Sequence, residues 1–513
     1  MKLALIQLEG KNIADCKEAE KNILVTIEEA GQSDSELILL PECSYPGYLI
    51  GDAPDDEWRR ASDCFLVEVG ALAAKFGKYL AVGVAFPHRG ELYNSLILFG
   101  RRGETLARWD KSNLWHFDDS WFAAGCEYPV VETEFGPIGG IVCADGRIPE
   151  ISRILALRGA RLILDSANLV ASAFTPEQLL NQQYAFMLRT RAAENGTYIA
   201  VCNKCGVEDG AVTMAGRSFV VNPFGDIIAE AGPSAQEILY CEIDMESTRP
   251  PLPERRPALY GMLAAPTERL PVVAERGRTR PFAELERYVA LARFCSTERA
   301  EWLAKARVFI RKGMMLRARL ILLPPFSHEG TREEILTLCG ELGEGVAAAT
   351  CCEADGIHRA VFFNCDGLAG ELCETHAPGA NDGIRTFSLW EGINVAAVFG
   401  EEMCVPEIAR VATLQGADIL LWFDSSARRN AFQTLRTRAA ENKIFTTRLS
   451  SAKGDDRCIL VNPDGNMICT TYATDGHVAS GMINTALSRC KTVTPGTDII
   501  AGRIPHAYVS LTE

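Results

Sequence analysis

The chain has 513 residues, 47% of them apolar, and a formal net charge of −15. That length predicts more than one domain with ordinary buried cores, and the acidic balance argues against a nucleic-acid or anionic-membrane surface as the main partner. No apolar run approaches a membrane span, and the opening MKLALIQLEGKN lacks a signal-peptide layout, so a cytoplasmic protein is expected and its 18 cysteines are read as reduced thiols.

In chain order, Lys2–Leu8 reads as a strand and Lys17–Ala30 as a helix with Ile23, Ile27 and Ala30 on one face. Leu37–Leu40 is a buried strand ending in Pro41-Glu42, followed by the loop CSYPGYL. A second helix is expected over Asp55–Phe76. Strands at Leu80–Phe86 and Tyr93–Phe99 flank Arg89-Gly90, a hairpin turn, and Thr105–Trp109 leads to Lys111.

The apolar run Gly139–Val142 ends in Cys143. The turn Ala144-Asp145-Gly146 follows, then Pro149-Glu150 and an amphipathic helix that stops at Gly159. Cys143 thus stands at a strand-to-helix elbow. Backbone N–H groups and the helix dipole there favour a thiolate and can hold an oxyanion, so a depressed thiol pKa is expected. A helix over Pro176–Asn195 carries MLRTRAAEN, and strands follow at Tyr198–Asn203, Ser218–Val221 and Ile238–Ile243. Strands and helices mixed in this way imply a layered α/β domain.

Arg249–Pro281 is rich in Pro and Arg without a sustained period, and is expected to be an extended connector. Beyond it the first half returns. YVALARF echoes KLALIQL, LILLPPFSH echoes LILLPECSY, and VPEIARVATLQGADILL echoes IPEISRILALRGARLIL. LRTRAAEN occurs twice, and VNPDG matches VNPFG. The order is kept while the spacing shrinks, which is the mark of a tandem duplication with deletions in the second copy. Boundaries are drawn at 1–262 for a catalytic domain, 263–284 for a linker and 285–513 for a degenerate second domain.

With LLPE at Leu39–Glu42, Asp110-Lys111, CADGRIPE at Cys143–Glu150, RTRAAEN and VNPFG, the chain resembles the carbon–nitrogen hydrolase, or nitrilase, superfamily. The resemblance implies an α-β-β-α sandwich, hence an α/β protein of two tandem sandwich domains. It further implies a catalytic set of Cys143 as nucleophile, Glu42 as general base and Lys111 as oxyanion donor with the Ala144 N–H. The family's second acid falls on Asp118, with Asp119 as competitor, where the family commonly has Glu. Tyr48, Asn168 and His116 are candidates to contact substrate; Tyr48 serves equally as packing, and His116 equally as a surface loop residue. Arg189, Arg191 and Glu194 read as a helix-anchoring network. Cys202 and Cys205 form a C-x-x-C with no second pair, which fits structural thiols better than zinc.

Cys143-Ala144-Asp145-Gly146 differs from the Cys-Trp-Glu of nitrile hydrolases and looks like the amidase and carbamoylase side. The expectation is hydrolysis of an amide or N-carbamoyl group of a small molecule with release of ammonia, without cofactor or metal. Nitrile hydrolysis and acyl transfer are alternatives within the family, and a non-catalytic scaffold is the alternative of another class. In the second copy, Glu42 falls on Pro325, Cys143 on Gly400 and Asp145 on Glu402. The Lys111 region falls within Glu371–Pro378, which has no lysine, and Cys404 aligns with Arg147. A pseudo-enzyme is therefore expected, paired with the first copy as an intramolecular pseudo-dimer, with further homo-oligomerisation open.

Overall fold

The computed structural model describes residues 1–51, 56–170, 181–250, 255–276, 286–326, 331–380, 383–390, 392–424, 426–451 and 456–513. The beginning of the helix expected over Pro176–Asn195 lies outside them, as do parts of the expected connector. Contacts divide the chain into two compact units. One is Met1–Pro251 with Thr494–Ser510; the other is Leu252–Val493 with Leu511–Glu513.

The N-terminal part of the first unit, up to Pro251, has thirteen strands among the described residues. They are β1 (Lys2–Glu9), β2 (Leu37–Leu39), β3 (Tyr79–His88), β4 (Glu91–Phe99), β5 (Thr105–Asp110), β6 (Ile138–Val142), β7 (Leu162–Ser166), β8 (Tyr198–Cys202), β9 (Lys204–Glu208), β10 (Val212–Ala215), β11 (Phe219–Val221), β12 (Ile227–Glu230) and β13 (Glu237–Glu242). One sheet runs β10-β9-β1-β2-β3-β4-β5, with β13 also paired to β1; the other runs β12-β11-β8-β7-β6. The centre of each sheet is parallel, β1-β2-β3 and β6-β7-β8. Central strands are buried on both faces, so they read as unbroken apolar runs.

Helices α1 (Cys16–Gln32) and α2 (Asp56–Phe76) cover the first sheet, and α3 (Pro149–Leu157) and α4 (Leu188–Asn195) the second. On β1, Ala4, Ile6 and Leu8 meet Ile23 and Ile27 of α1 and Phe65 of α2, as the spacing of the apolar residues requires. Two glycines set the separation of the sheets. A Cβ on Gly140 would lie 2.4 Å from the Trp109 ring, and one on Gly83 2.3 Å from the Ser166 hydroxyl of β7. Each glycine lets the opposite layer come to backbone distance. The expected hairpin is present, with Arg89 and Gly90 both at positive φ (49° and 88°). Strands β9, β10 and β12 go beyond the sequence reading.

The second unit repeats the plan. Its sheets order as 367–373, 357–364, 347–354, 320–322, 286–293, 477–484 and as 387–390, 393–399, 419–423, 445–449, 459–461, 467–470. Val289, Leu291, Leu322, Val395, Leu421 and Leu460 fill the space between them. The protein is thus α/β, two tandem α-β-β-α sandwiches.

The connector departs from expectation. Instead of running extended, Pro257–Leu259, Gly261–Leu263 and Thr267–Arg269 form 3-10 turns and Pro271–Arg276 an α-helix. The cause is its sparse apolar residues: Tyr260, Leu263, Leu270 and Val272 are all buried. Arg255 adds an ion pair with Glu407 at 3.0 Å, and the Tyr260 hydroxyl meets His376 Nε2 at 2.7 Å. Among the described residues no helix is long and apolar enough to cross a membrane.

Candidate active site

Three strands of the first unit each deliver one polar side chain just past their end. Glu42 follows β2, Lys111 follows β5 and Cys143 follows β6. Glu42 and Lys111 are fully buried, and Lys111 Nζ donates to Glu42 Oε1 at 2.7 Å. Asn94, on β4, donates its Nδ2 to the same oxygen at 2.6 Å. Asn94 was not among the sequence candidates; it lies inside a strand and belongs to no motif. Glu42 Oε2 is buried and has no hydrogen-bond partner.

On its other side Lys111 Nζ meets Asp118 Oδ2 at 2.6 Å. Asp118 is fully buried, whereas Asp119 is exposed, which separates the two acids that the sequence left side by side. Asp118 is further held by the Tyr48 hydroxyl on Oδ1 (2.9 Å) and the Trp115 N–H on Oδ2 (2.8 Å). Burial alone would strip the Lys111 proton, but the carboxylates of Asp118 and Glu42 outweigh it and hold the lysine well above its ordinary pKa. Its ammonium is thereby fixed between two acids. Burial pushes the Tyr48 phenol well up, so it acts as a donor.

Cys143 sits at φ +48°, a strained conformation for a residue with a Cβ. The elbow is a 3-10 turn over Cys143–Arg147, and α3 begins only at Pro149. The Cys143 N–H donates to Asp165 Oδ1 at 2.9 Å. Asp145 ties the elbow to the neighbouring loop: Oδ1 accepts from Ser112 N (3.0 Å) and Asn113 N (2.8 Å), and Oδ2 from Val142 N (3.1 Å). Asn113 Nδ2 adds a bond to the Ala144 carbonyl at 3.0 Å. Burial pushes the Asp145 carboxyl up to about 6 against those three donors, and Asp165 well up. Ala144 stands in the first turn of the 3-10 helix, where an N–H has no intrahelical acceptor.

The depressed pKa expected for Cys143 is corrected. Its thiol is pushed well above its ordinary value, first by burial and next by the Glu42 charge. Lys111 and the Asn168 N–H oppose the shift without reversing it. The dipole argument misses the desolvation, which is the larger effect here. Burial and the Glu42 charge therefore favour the neutral thiol at Cys143.

Asn168 is buried just past β7, and neither its Oδ1 nor its Nδ2 has a partner. A buried carboxamide with both ends unmet is costly unless something else meets them. His116 is corrected: it is exposed, its ring stands edge-on against Phe117, and its backbone takes φ +55°. The turn that this φ makes carries the ring outward. Arg147, not a site candidate in the sequence reading, is buried, donates to Gln182 Oε1 at 3.0 Å and lies 5.2 Å above the Trp115 ring. Its place four residues after Cys143 was the available signal.

Arg191 pairs with Glu194 at 2.6 Å and donates to the Arg147 carbonyl, while Arg189 donates to the Gly225 carbonyl at 2.8 Å. Cys202 and Cys205 belong to β8 and β9, their thiols on the carbonyls of Ile6 and Leu8. Among the described residues no group of three or more His, Cys, Asp or Glu is placed to hold a metal ion.

The second unit can be read position by position. Glu402 Oε1 accepts from Thr375 N and His376 N, as Asp145 does from Ser112 and Asn113. Glu374 N donates to the His358 carbonyl at 2.9 Å, as Lys111 N does to the Asn94 carbonyl at 2.8 Å. Glu374 thus stands where Lys111 does, His358 where Asn94 does, and Gly400 opens the 3-10 turn where Cys143 does.

Compared with known proteins, residues 2–250 match the carbon-nitrogen hydrolase family. A Pseudomonas protegens protein described as hydrolase in pqqF 5'region is 31% identical over 245 residues, which is 45% of this chain and 82% of that one. An omega-amidase of Saccharomyces cerevisiae is 28% identical over 272 residues, 48% of this chain and 88% of the relative. A crystal structure of an amidase from Nesterenkonia sp. is 26% identical, with a TM-score of 0.42 over 48% of this chain and 90% of that one.

Proposed function

Because the chain belongs to the carbon–nitrogen hydrolase family, we propose that its first unit is a thiol-dependent amidase. It would cleave an amide or N-carbamoyl group through a Cys143 acyl-enzyme and release ammonia. The observation that carries this reading is Glu42: one carboxylate oxygen is engaged by Lys111 and Asn94, and the other is buried, unpartnered and close enough for its charge to act on the Cys143 thiol.

In this reading Glu42 Oε2 takes the thiol proton as Cys143 Sγ attacks the carbonyl carbon. The C=O electron pair moves onto oxygen, and that oxyanion is met by Lys111 Nζ and the Ala144 N–H. Glu42 then gives its proton to the leaving nitrogen. The C–N bond breaks, ammonia departs and a thioester remains. Water enters, loses a proton to Glu42 and attacks the thioester; the thiolate leaves, and Glu42 returns the proton to it. Asp118 and Tyr48 keep the Lys111 ammonium aimed at the oxyanion. Asn168, with a free donor and a free acceptor, suits a substrate that offers both, as an amide or ureido group does. The second unit, with Pro325, Glu374 and Gly400 for base, lysine and nucleophile, is proposed to be non-catalytic.

The Asp145-Gly146 pair, in place of the Trp-Glu that follows the nucleophile of nitrile hydrolases, supports amides over nitriles. The test is a panel of amides, ureido acids and nitriles assayed for ammonia, with intact-protein mass following the acyl adduct. Ammonia from amides or ureido acids with an adduct on Cys143 is expected. Turnover of nitriles alone, or acyl transfer to an amine without hydrolysis, would replace the reading by its alternatives within the family. No turnover of any class and no adduct would leave a scaffold.

A further inference from the structure

Residues 494–510 belong to the first unit although some 240 residues of the second unit precede them. Within that unit they meet the loop Ser112–Asp118. This loop is fixed at both ends: its first N–H groups bond Asp145 at the elbow, and its last residue, Asp118, pairs with Lys111. Between them lies Trp115, whose N–H bonds Asp118.

The Thr497 hydroxyl grips the residues on either side of Trp115. It accepts the His116 N–H at 2.8 Å and donates to the Leu114 carbonyl at 3.2 Å. Thr497 is buried, and Ile499 and Ile500 anchor the segment in the core. The Asp498 carboxylate caps the N–H groups of Ile500 and Ala501, both at 2.9 Å. Gly496 takes φ +80°, and a Cβ there would lie 2.2 Å from the His116 carbonyl oxygen. Only glycine lets the two backbones pass at that distance.

We propose that Gly496 and Thr497 are positioning residues for the reaction, holding loop 112–118 so that Asp118 keeps the Lys111 ammonium where the oxyanion forms. The proposal rests on the amidase reading. Its physical basis is that His116 is forced into left-handed backbone at an exposed apex, which without Thr497 has water as its only other partner. Relaxation there moves Trp115 N–H, then Asp118, then Lys111. A displacement of about 1 Å at such a site costs on the order of a hundredfold in rate.

The test uses the full chain and p-nitrophenyl acetate as the acylating probe, reading the nitrophenolate burst above the Cys143→Ala background. Thr497→Val should slow acylation at least tenfold while Thr497→Ser stays within twofold of wild type. In an Asp118→Asn background, Thr497→Val should slow the burst less than twofold further, because the path runs through Asp118. Gly496→Ala tests the same clamp through the His116 carbonyl and should also slow acylation tenfold or more. A Thr497→Val burst within twofold of wild type, or a Thr497→Val loss that multiplies in full onto Asp118→Asn, would overturn the proposal. A wild-type burst no greater than the Cys143→Ala background would instead overturn the nucleophile reading, and the two failures are distinct.

Discussion

Cys143 and Gly400 occupy the same elbow of their two units at the same backbone φ, +48°. One carries a thiol in a conformation that only glycine takes without strain, and the other carries nothing. The strain at Cys143 buys a side chain that stands off the strand end toward Glu42. At Gly400 the same backbone conformation carries no such strain.

Replacing Cys143 should separate strain from chemistry. Cys143→Ala and Cys143→Gly should both abolish hydrolysis. The glycine variant should be the more stable of the two by about 1–2 kcal/mol, the cost of a Cβ in left-handed backbone. For a unit of this size that is roughly 2–8 °C in Tm, read by calorimetry. Equal melting temperatures would mean that the elbow relaxes.

Glu42→Gln should cut kcat by roughly 10²–10⁴, the usual contribution of a positioned base, while the fold survives. An amide can still accept from Lys111 and Asn94 but cannot carry a proton. Lys111→Met should also inactivate, and it should destabilise by about 3–5 kcal/mol because two buried carboxylates lose their shared cation. Single-turnover rates and urea melts on both variants check the contrast. A Glu42→Gln enzyme above a tenth of wild-type kcat would remove the base from its role.

Acid should switch the enzyme off near pH 6 without unfolding it through Asp145. This carboxyl titrates at about 6 in the fold against its ordinary 3.8. Folding therefore favours its protonated form, and the linked stability is complete below 3.8 and is lost as pH rises through 6, about 3 kcal/mol in all. Activity runs the other way, since the protonated carboxyl holds the Ser112 and Asn113 N–H groups less firmly. Asp145→Asn should be at least tenfold slower than wild type at pH 8, and the two should converge at pH 5. A constant ratio across a pH profile of kcat/KM would count against Asp145.

The second unit should stay silent when a thiol is put back. Gly400→Cys in a Cys143→Ala background should show no acyl adduct by intact mass, because Pro325 offers no base and Glu374 brings a negative charge where Lys111 brings a positive one. Cys404→Ala should leave kcat within twofold of wild type. Recovery of turnover in the first variant would mean that a base is supplied from elsewhere in that unit.

Glu42 and Cys143 were legible as candidates because each closes an apolar run that announces its own strand, and Lys111 because it follows a strand in the order of the family. Asp118 was legible only as the place where the family's second acid falls, and its neighbour Asp119 competed with it. What separates them is burial, which depends on how the loop turns at His116. Asn94 left no trace, since a polar residue inside a strand has the same appearance whether it faces solvent or a catalytic carboxylate. The short strand β9 carries Lys204 and Gly206, which are weak strand formers, and it exists through pairing with the distant β1, while β10 and β12 are four-residue strands that pair back on β9 and β11. The connector was misread because composition outweighed four apolar side chains. The Cys143 pKa was misread because sequence displays the dipole of a helix but not the water excluded around a thiol.

The bond from His116 to Thr497 also sets a time. The two residues are 381 positions apart, so at ordinary synthesis speeds of about 5–20 residues per second the loop waits roughly 20–80 s on the ribosome for its clamp. Through that interval Cys143 exists beside a slack Asp118, its lysine poorly aimed. A nascent chain that ends beyond the first half but before residue 497 would carry Glu42, Lys111, Asp118 and Cys143 and yet is expected to hydrolyse poorly. Completion of the chain through residue 497 would then be a condition for the proposed hydrolysis.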